Sequence, residues 1–196
     1  MFSISRFYMA SWFWIASGLS VLALAGCTAG AGLPSYGIVP DFALTDQTNQ
    51  PFLSANTLRG KVWIADFIFT NCAGPCPRMS AQMRQVQTAL HDMQDVRLVS
   101  FTVDPARDTP TVLAKYAERY QAQPGVWYFL TGPQADLQKL ARNVFMLGDV
   151  NGDLEHSTRF VLVDKQSRVR GYYLTSEDDA IPRVIADARR VSKERF

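Results

Sequence analysis

The 196 residues hold only three cysteines and two histidines. A structural zinc site wants four such ligands, and only three of these are plausible ones. Twenty basic and eighteen acidic side chains leave a net charge of +2, and no basic run is interleaved with aromatics. That balance excludes a nucleic-acid partner on electrostatic grounds. No internal repeat or low-complexity segment occurs, which excludes a solenoid. Charged residues make up 19% and hydrophobic ones 47%, ordinary for one globular domain carrying an apolar extra segment.

That extra segment is at the N-terminus. Arg6 is its only charged side chain, followed by apolar sequence from about Met9 to Ala25 and then Leu24-Ala25-Gly26-Cys27. A basic start, a short apolar stretch and small residues before a cleavage point describe a secretory signal. The "LAGC" ending resembles the lipobox of bacterial lipoproteins, which implies that Cys27 becomes the lipidated first residue of the mature chain. The chain would then sit on the extracytoplasmic face of a bacterial membrane, in the periplasm or at the cell surface. The other reading is an uncleaved anchor, but about 17 apolar residues lie at the bottom of the spanning range. We therefore expect a lipoprotein signal peptide over residues 1–26, a flexible tether over 27–37, and one folded domain over 38–196. With Cys27 lipidated, Cys72 and Cys76 are the remaining thiols. On the oxidising side of a membrane an even pair is by default a disulfide.

Within the domain, "PDFALTDQTNQPF" turns at Thr48-Asn49-Gln50 and predicts a short hairpin. Val62 to Phe69 is apolar on both alternating faces except at Asp66, the pattern of a central strand covered on both sides. Pro77 suits the first turn of a helix, which continues with apolar spacing at Met79, Met83, Val86 and Leu90. "VRLVSFTVD" predicts a second buried strand, and Thr109 before Pro110 opens a second helix. "VWYFLTG" is a third strand and "PQADLQKLARNVF" a third helix. After the polar stretch "GDVNGDLEHS", "TRFVLVD" and "RVRGYYL" form a hairpin turning at Lys165-Gln166-Ser167. A last helix covers about Asp179 to Lys193, whose Arg189, Arg190, Lys193 and Arg195 read as a solvated helix end. Strands alternating with helices and closed by a hairpin and helix indicate an α/β fold of thioredoxin-like order, with a central mixed sheet, flanking helices and an N-terminal β-hairpin extension.

The chemistry is concentrated in "FTNCAGPCPRM", residues 69–79. Strand, Cys-x-x-x-Cys-Pro and helix place both sulfurs around a helix N-terminus, where unsatisfied amides and the dipole favour thiolate, with Arg78 adding to this. A thiolate serves either disulfide exchange or soft-metal ligation. An inert structural bridge is the alternative, though so small a loop constrains the unfolded chain little. His91, near the end of the first long helix, reads as solvated. His156 lies before the closing hairpin beside Glu155 and Asp153. A lone loop histidine is commonly just exposed, yet with Cys72 and Cys76 it completes a two-sulfur, one-nitrogen set suited to copper. Glu155 is placed to orient its ring. Asp66 either sits buried, with its pKa raised, and relays a proton to or from Cys76, or faces a water-filled gap or pairs with Lys61 or Arg97.

From about Pro40 to the final helix the chain resembles the Sco (SenC) family of copper metallochaperones, on "FTNCAGPCP", "VSFTVDPARDTP" (99–110) and the following His156. The resemblance implies a thioredoxin-like domain that binds copper through Cys72, Cys76 and His156. It implies as partners the copper subunit of cytochrome c oxidase and a thioredoxin-like reductant that keeps the thiols open. The segment Asp104, Pro105, Arg107, Asp108 and Thr109 is expected to fix the loop beside the site. Family members usually carry proline, aspartate and an aliphatic residue between the cysteines, where this chain has Ala73-Gly74-Pro75. That departure, with Asp66 at the offset of the buried thioredoxin acid, keeps open an alternative function. In it the chain is a thiol-disulfide oxidoreductase acting on extracytoplasmic client cysteines, with Cys72 attacking, Cys76 resolving and Asp66 assisting. "DVNGDLE" fails as a calcium loop because its twelfth position is Phe160.

Overall fold

Seven consecutive residues with no solvent exposure to speak of organise the fold. The computed structural model describes residues 32–147 and 158–194, and strand β4 (Val62–Ile68) is buried along its whole length. Before it come β1 (Gly37–Ile38), the hairpin β2 (Ala43–Asp46) and β3 (Pro51–Leu53), and a single turn α1 (Ser54–Thr57). After it follow α2 (Cys76–Ala89), β5 (Val96–Thr102), α3 (Pro110–Arg119), β6 (Trp127–Thr131) and α4 (Gln134–Lys139). The closing elements are β7 (Arg159–Val163), β8 (Arg168–Leu174) and α5 (Ala180–Ser192).

The strands form one mixed sheet in the order β1-β8-β7-β4-β5-β6-β2-β3. β4, β5 and β6 are parallel, whereas β7 runs antiparallel to β4 and β8 antiparallel to β7. This is the thioredoxin-like order expected, with the β2–β3 hairpin added beyond β6. Asn49 closes that hairpin at φ 62°, and the Asp46 carboxylate accepts from the amides of Thr48 and Gln50 at 2.8 and 3.0 Å. Burial on both faces follows from alternation. Val62, Ile64 and Ile68 pack beneath α2, α3 and α5 with Met79, Met83, Leu113 and Val184. Trp63, Ala65 and Phe67 face the other layer with Leu137, Leu140 and Phe145.

The topology gives the domain two ends. β4 and β5 finish where the Cys72 loop begins; this is the thiol end. β4 starts beside the β7–β8 turn, where Gly60 donates its amide to the Lys165 carbonyl at 3.2 Å; this is the base. α2 begins at Cys76 with Pro77 in its first turn. Thr109 caps α3, its hydroxyl accepting from the Val112 amide at 3.4 Å.

Two expectations are corrected. The third helix is not uniform: α4 passes into a wide π turn over Leu140–Val144, with the Phe145 amide donating to the Leu140 carbonyl at 2.9 Å. The extra residue per turn lets Leu140, Ala141 and Phe145 all face the sheet, and Phe145 meets Trp63, Phe67 and Phe101 with ring centroids 5.7–5.9 Å apart. Nor is the expected tether free over its last residues. Tyr36 donates its amide to Val169 at 2.9 Å, and Gly37 pairs with Val169. The guanidinium of Arg170 donates to the carbonyls of Leu33 and Pro34 at 2.8 and 3.0 Å. The open edge of β8 and a buried arginine supply what this polar backbone needs, so residues 33–37 bind as a strap.

Candidate metal centre

The loop between β4 and α2 carries both thiols in unequal settings. Cys72 is half-buried on the loop; Cys76 opens α2 and is buried among Ile68, Met79 and their neighbours. Both are free thiols. Burial pushes the Cys76 thiol up to about 12, and its hydrogen bond to the Cys72 sulfur adds to the shift. The Phe69 backbone opposes this only in part. The helix N-terminus was expected to favour thiolate at this pair. At Cys76 desolvation wins, because its side chain turns into the core and away from water. Cys72 is the accessible sulfur.

What holds the loop is a carboxylate. Asp108 is 1% exposed and accepts from the Thr70 amide at 3.1 Å, from the Thr70 hydroxyl and from the Thr102 hydroxyl. Thr102 in turn accepts from the Asp104 amide at 2.9 Å. The turn closes on itself where the amides of Arg107 and Asp108 donate to the Asp104 carbonyl at 3.1 and 2.9 Å. Three charge-assisted bonds to one buried acceptor thus join the thiol loop, the end of β5 and the approach to α3. The "VDPARDTP" run fixes the loop, as expected of it. The specific lock, Asp108 to Thr70 and Thr102, was beyond sequence reading; its only signal was that these residues fall within the two motifs.

Asp66 lies on β4 beneath α2, fully buried, and neither carboxylate oxygen meets a hydrogen-bond partner. Of the alternatives left open, burial holds. Arg97 is committed to the carbonyls of Gln94 and Val96, and among the described residues no cation reaches Asp66. Ser100 stands opposite it on β5 with its hydroxyl accepting from the Trp127 indole at 3.0 Å. Burial pushes Asp66 up to about 7, and Ser100 opposes that shift without good hydrogen-bond geometry.

Cys27 and His156, with Glu155 and Asp153, lie outside the described residues. β7, which follows His156 in the chain, begins at the thiol end because it runs antiparallel to β4. Among the described residues no third His, Cys, Asp or Glu joins the two sulfurs as a metal cluster. His91 is exposed, its Nδ1 bonded to the Thr88 carbonyl at 2.9 Å. It lies at the C-terminal end of α2, away from the thiols.

This chain and its sheet have counterparts among known proteins. The SCO1/SenC family model matches residues 32–193. The chain belongs to that family. It is 36% identical over 146 residues to the SCO1 protein homolog of Bacillus subtilis (strain 168), covering 71% of this chain and 76% of that one. It superposes with TM-score 0.71 and 33% identity on BsSco, a member of the Sco family of cytochrome c oxidase assembly proteins in which a disulfide switch was identified; 83% of this chain and 97% of that one are covered. Yeast Sco1 with copper bound superposes with TM-score 0.65 and 25% identity over 84% of this chain and 97% of its own. The thioredoxin-like sheet is the part shared with those Sco structures.

Two predictions follow from the buried acids. Asp108→Ala removes the acceptor for three donors and is expected to lower stability by about 2–4 kcal/mol, read by urea denaturation. Exchange of the Thr70 amide should accelerate beyond that of the core. Asp66 in the unfolded chain loses its proton near 3.8, whereas the folded protein keeps it to about 7. The folded state therefore binds more protons between these values, and stability falls as pH rises through that window by on the order of 4 kcal/mol, levelling off above it. Asp66→Asn should abolish the fall, measured by denaturation at about pH 5 and pH 8.

Proposed function

We propose that this protein carries a copper ion on Cys72, Cys76 and His156 and delivers it during assembly of the copper site of cytochrome c oxidase. In this reading it is held at the extracytoplasmic face of a bacterial membrane by lipid on Cys27. The observation that carries the reading is the pair of neighbouring cysteines, one half-exposed and one buried, on a loop locked by Asp108, in a chain of the SCO1/SenC family. Yeast Sco1, a member of comparable fold, holds copper. Two sulfurs are soft donors suited to copper(I), and an imidazole completes a trigonal set. The half-exposed Cys72 is the sulfur from which a partner can take the ion, while buried Cys76 retains it. The partners are the copper subunit of cytochrome c oxidase and a thioredoxin-like reductant, since a disulfide between these cysteines has no free thiolate to ligate metal. For the anchor the support is the "LAGC" run itself.

Thiol-disulfide exchange on client cysteines is the subordinate reading. A resolving thiol pushed up to about 12 is almost wholly protonated at neutral pH and a slow nucleophile.

Cys72→Ser, Cys76→Ser and His156→Ala should each weaken copper(I) binding by tenfold or more, measured on the reduced protein against a chromophoric chelator. Full retention by His156→Ala would remove the imidazole from the ligand set. Because binding must displace the Cys76 proton, affinity should rise with pH by about tenfold per unit from this thiol alone across the neutral range. Chelator competition at a series of pH values reads that slope.

A further inference from the structure

The strap is tied to one end of the domain, and that end is rich in cations. Arg170 is 5% exposed and gathers three segments. It donates to the Asp164 carboxylate at 2.8 Å, to Glu194 at 2.6 and 3.1 Å, and to the carbonyls of Leu33 and Pro34. Asp164 opens the β7–β8 turn, and Glu194 follows the C-terminal end of α5, whose Ser192 carbonyl accepts from Lys165 at 2.9 Å. Both therefore lie at the base, a β4-length away from the thiols, about 23 Å for seven residues. Leu33 and Pro34 are thus tied, through Arg170, to groups at that end.

The base is also basic. Lys61, Arg97 and Lys193 sit there, and none meets a carboxylate among the described residues. Lys165, Arg168 and Arg189 add charge beside the acids they pair with. Tyr36 and Ile38, on the strap, are 50% and 72% exposed, two of the few large apolar side chains in water. The thiol end carries mixed charge: Arg107 pairs with Asp104 and Arg183 with Glu177, beside exposed Arg78, Asp136 and Asp178. Cations with an interfacial aromatic and aliphatic pair, at the end to which the strap is tied, match an anionic lipid surface.

We propose that the base is a membrane-facing surface for anionic lipid headgroups, with the thiol end turned to the aqueous phase. In the anchored state this rests on lipidation of Cys27. Residues 28–32 then allow at most about 20 Å between the anchor and Leu33, short enough to keep the base near the headgroups. A copper acceptor must accordingly present its ligands on a domain projecting from the membrane, a strand-length or more above the lipid.

The full chain, reconstituted in phosphatidylcholine vesicles with or without phosphatidylglycerol, tests this by hydrogen exchange. With phosphatidylglycerol the β7–β8 turn, the start of β5 and the end of α5 should gain protection that added salt removes, while the Cys72 loop should not. Protection equal in both lipids, or confined to the thiol end, would overturn the proposal. The triple variant Lys61→Gln, Arg97→Gln, Lys193→Gln should lose about fivefold of the anionic preference per cation; full retention would also overturn it. These surface changes leave the core intact, which unaltered core exchange verifies. The intact mass of the same preparation reports lipid on Cys27 separately. An unlipidated chain would refute the anchor while the exchange pattern still judges the base.

Discussion

The bond on which the site depends is that of the Asp108 carboxylate to Thr70 and Thr102. A loop of Gly, Ala and Pro between a strand and a helix has little of its own to hold it. Pinning Thr70 to the end of β5 gives it a fixed origin two residues before Cys72. The other limit of the loop is Cys76, fastened by burial in the first turn of α2. Only the stretch between these points is left to respond when a metal or a partner thiol arrives. Geometry at the sulfurs is thereby set by the scaffold, and adaptation is confined to Cys72.

Beneath the loop the protein accepts unfavourable burial. Asp66 and Cys76 are both kept from water, and both hold their protons more tightly than they would in solution. Desolvation is the common cause, and it outweighs the helix N-terminus at Cys76. The result is a pair of chemically distinct thiols, one half-exposed and one buried. A symmetrical exposed pair would oxidise readily and grip metal loosely. At the other end of β4, Arg170 does for the N-terminal strap what Asp108 does for the thiol loop, joining sequence-distant segments through one buried charge.

Much of this was legible in the chain. The all-apolar run interrupted by Asp66 announced a central strand, because only a strand covered on both faces tolerates apolar residues at every position. Pro77, Thr109 and the turn at Thr48-Asn49-Gln50 marked starts and reversals through local backbone preference, and the structure places each where that preference leads. The π turn was not legible, since Leu140, Ala141 and Phe145 satisfy an ordinary helical pattern until the sheet demands all three. Neither was the strap: Leu33 and Pro34 are tied down by Arg170, some 136 residues later in the chain.

The sequence by itself determined the class of fold, the order of its elements, the two thiols and the "DPARDTP" turn that accompanies them. These are local properties, written in periodicity, turn residues and motif spacing. Tertiary structure decided which thiol is buried, that Asp66 keeps its proton into the neutral range, which groups Asp108 holds, and what ties down the strap. Those depend on burial and on partners far apart in sequence, and desolvation is a property of the folded surroundings that no residue carries alone.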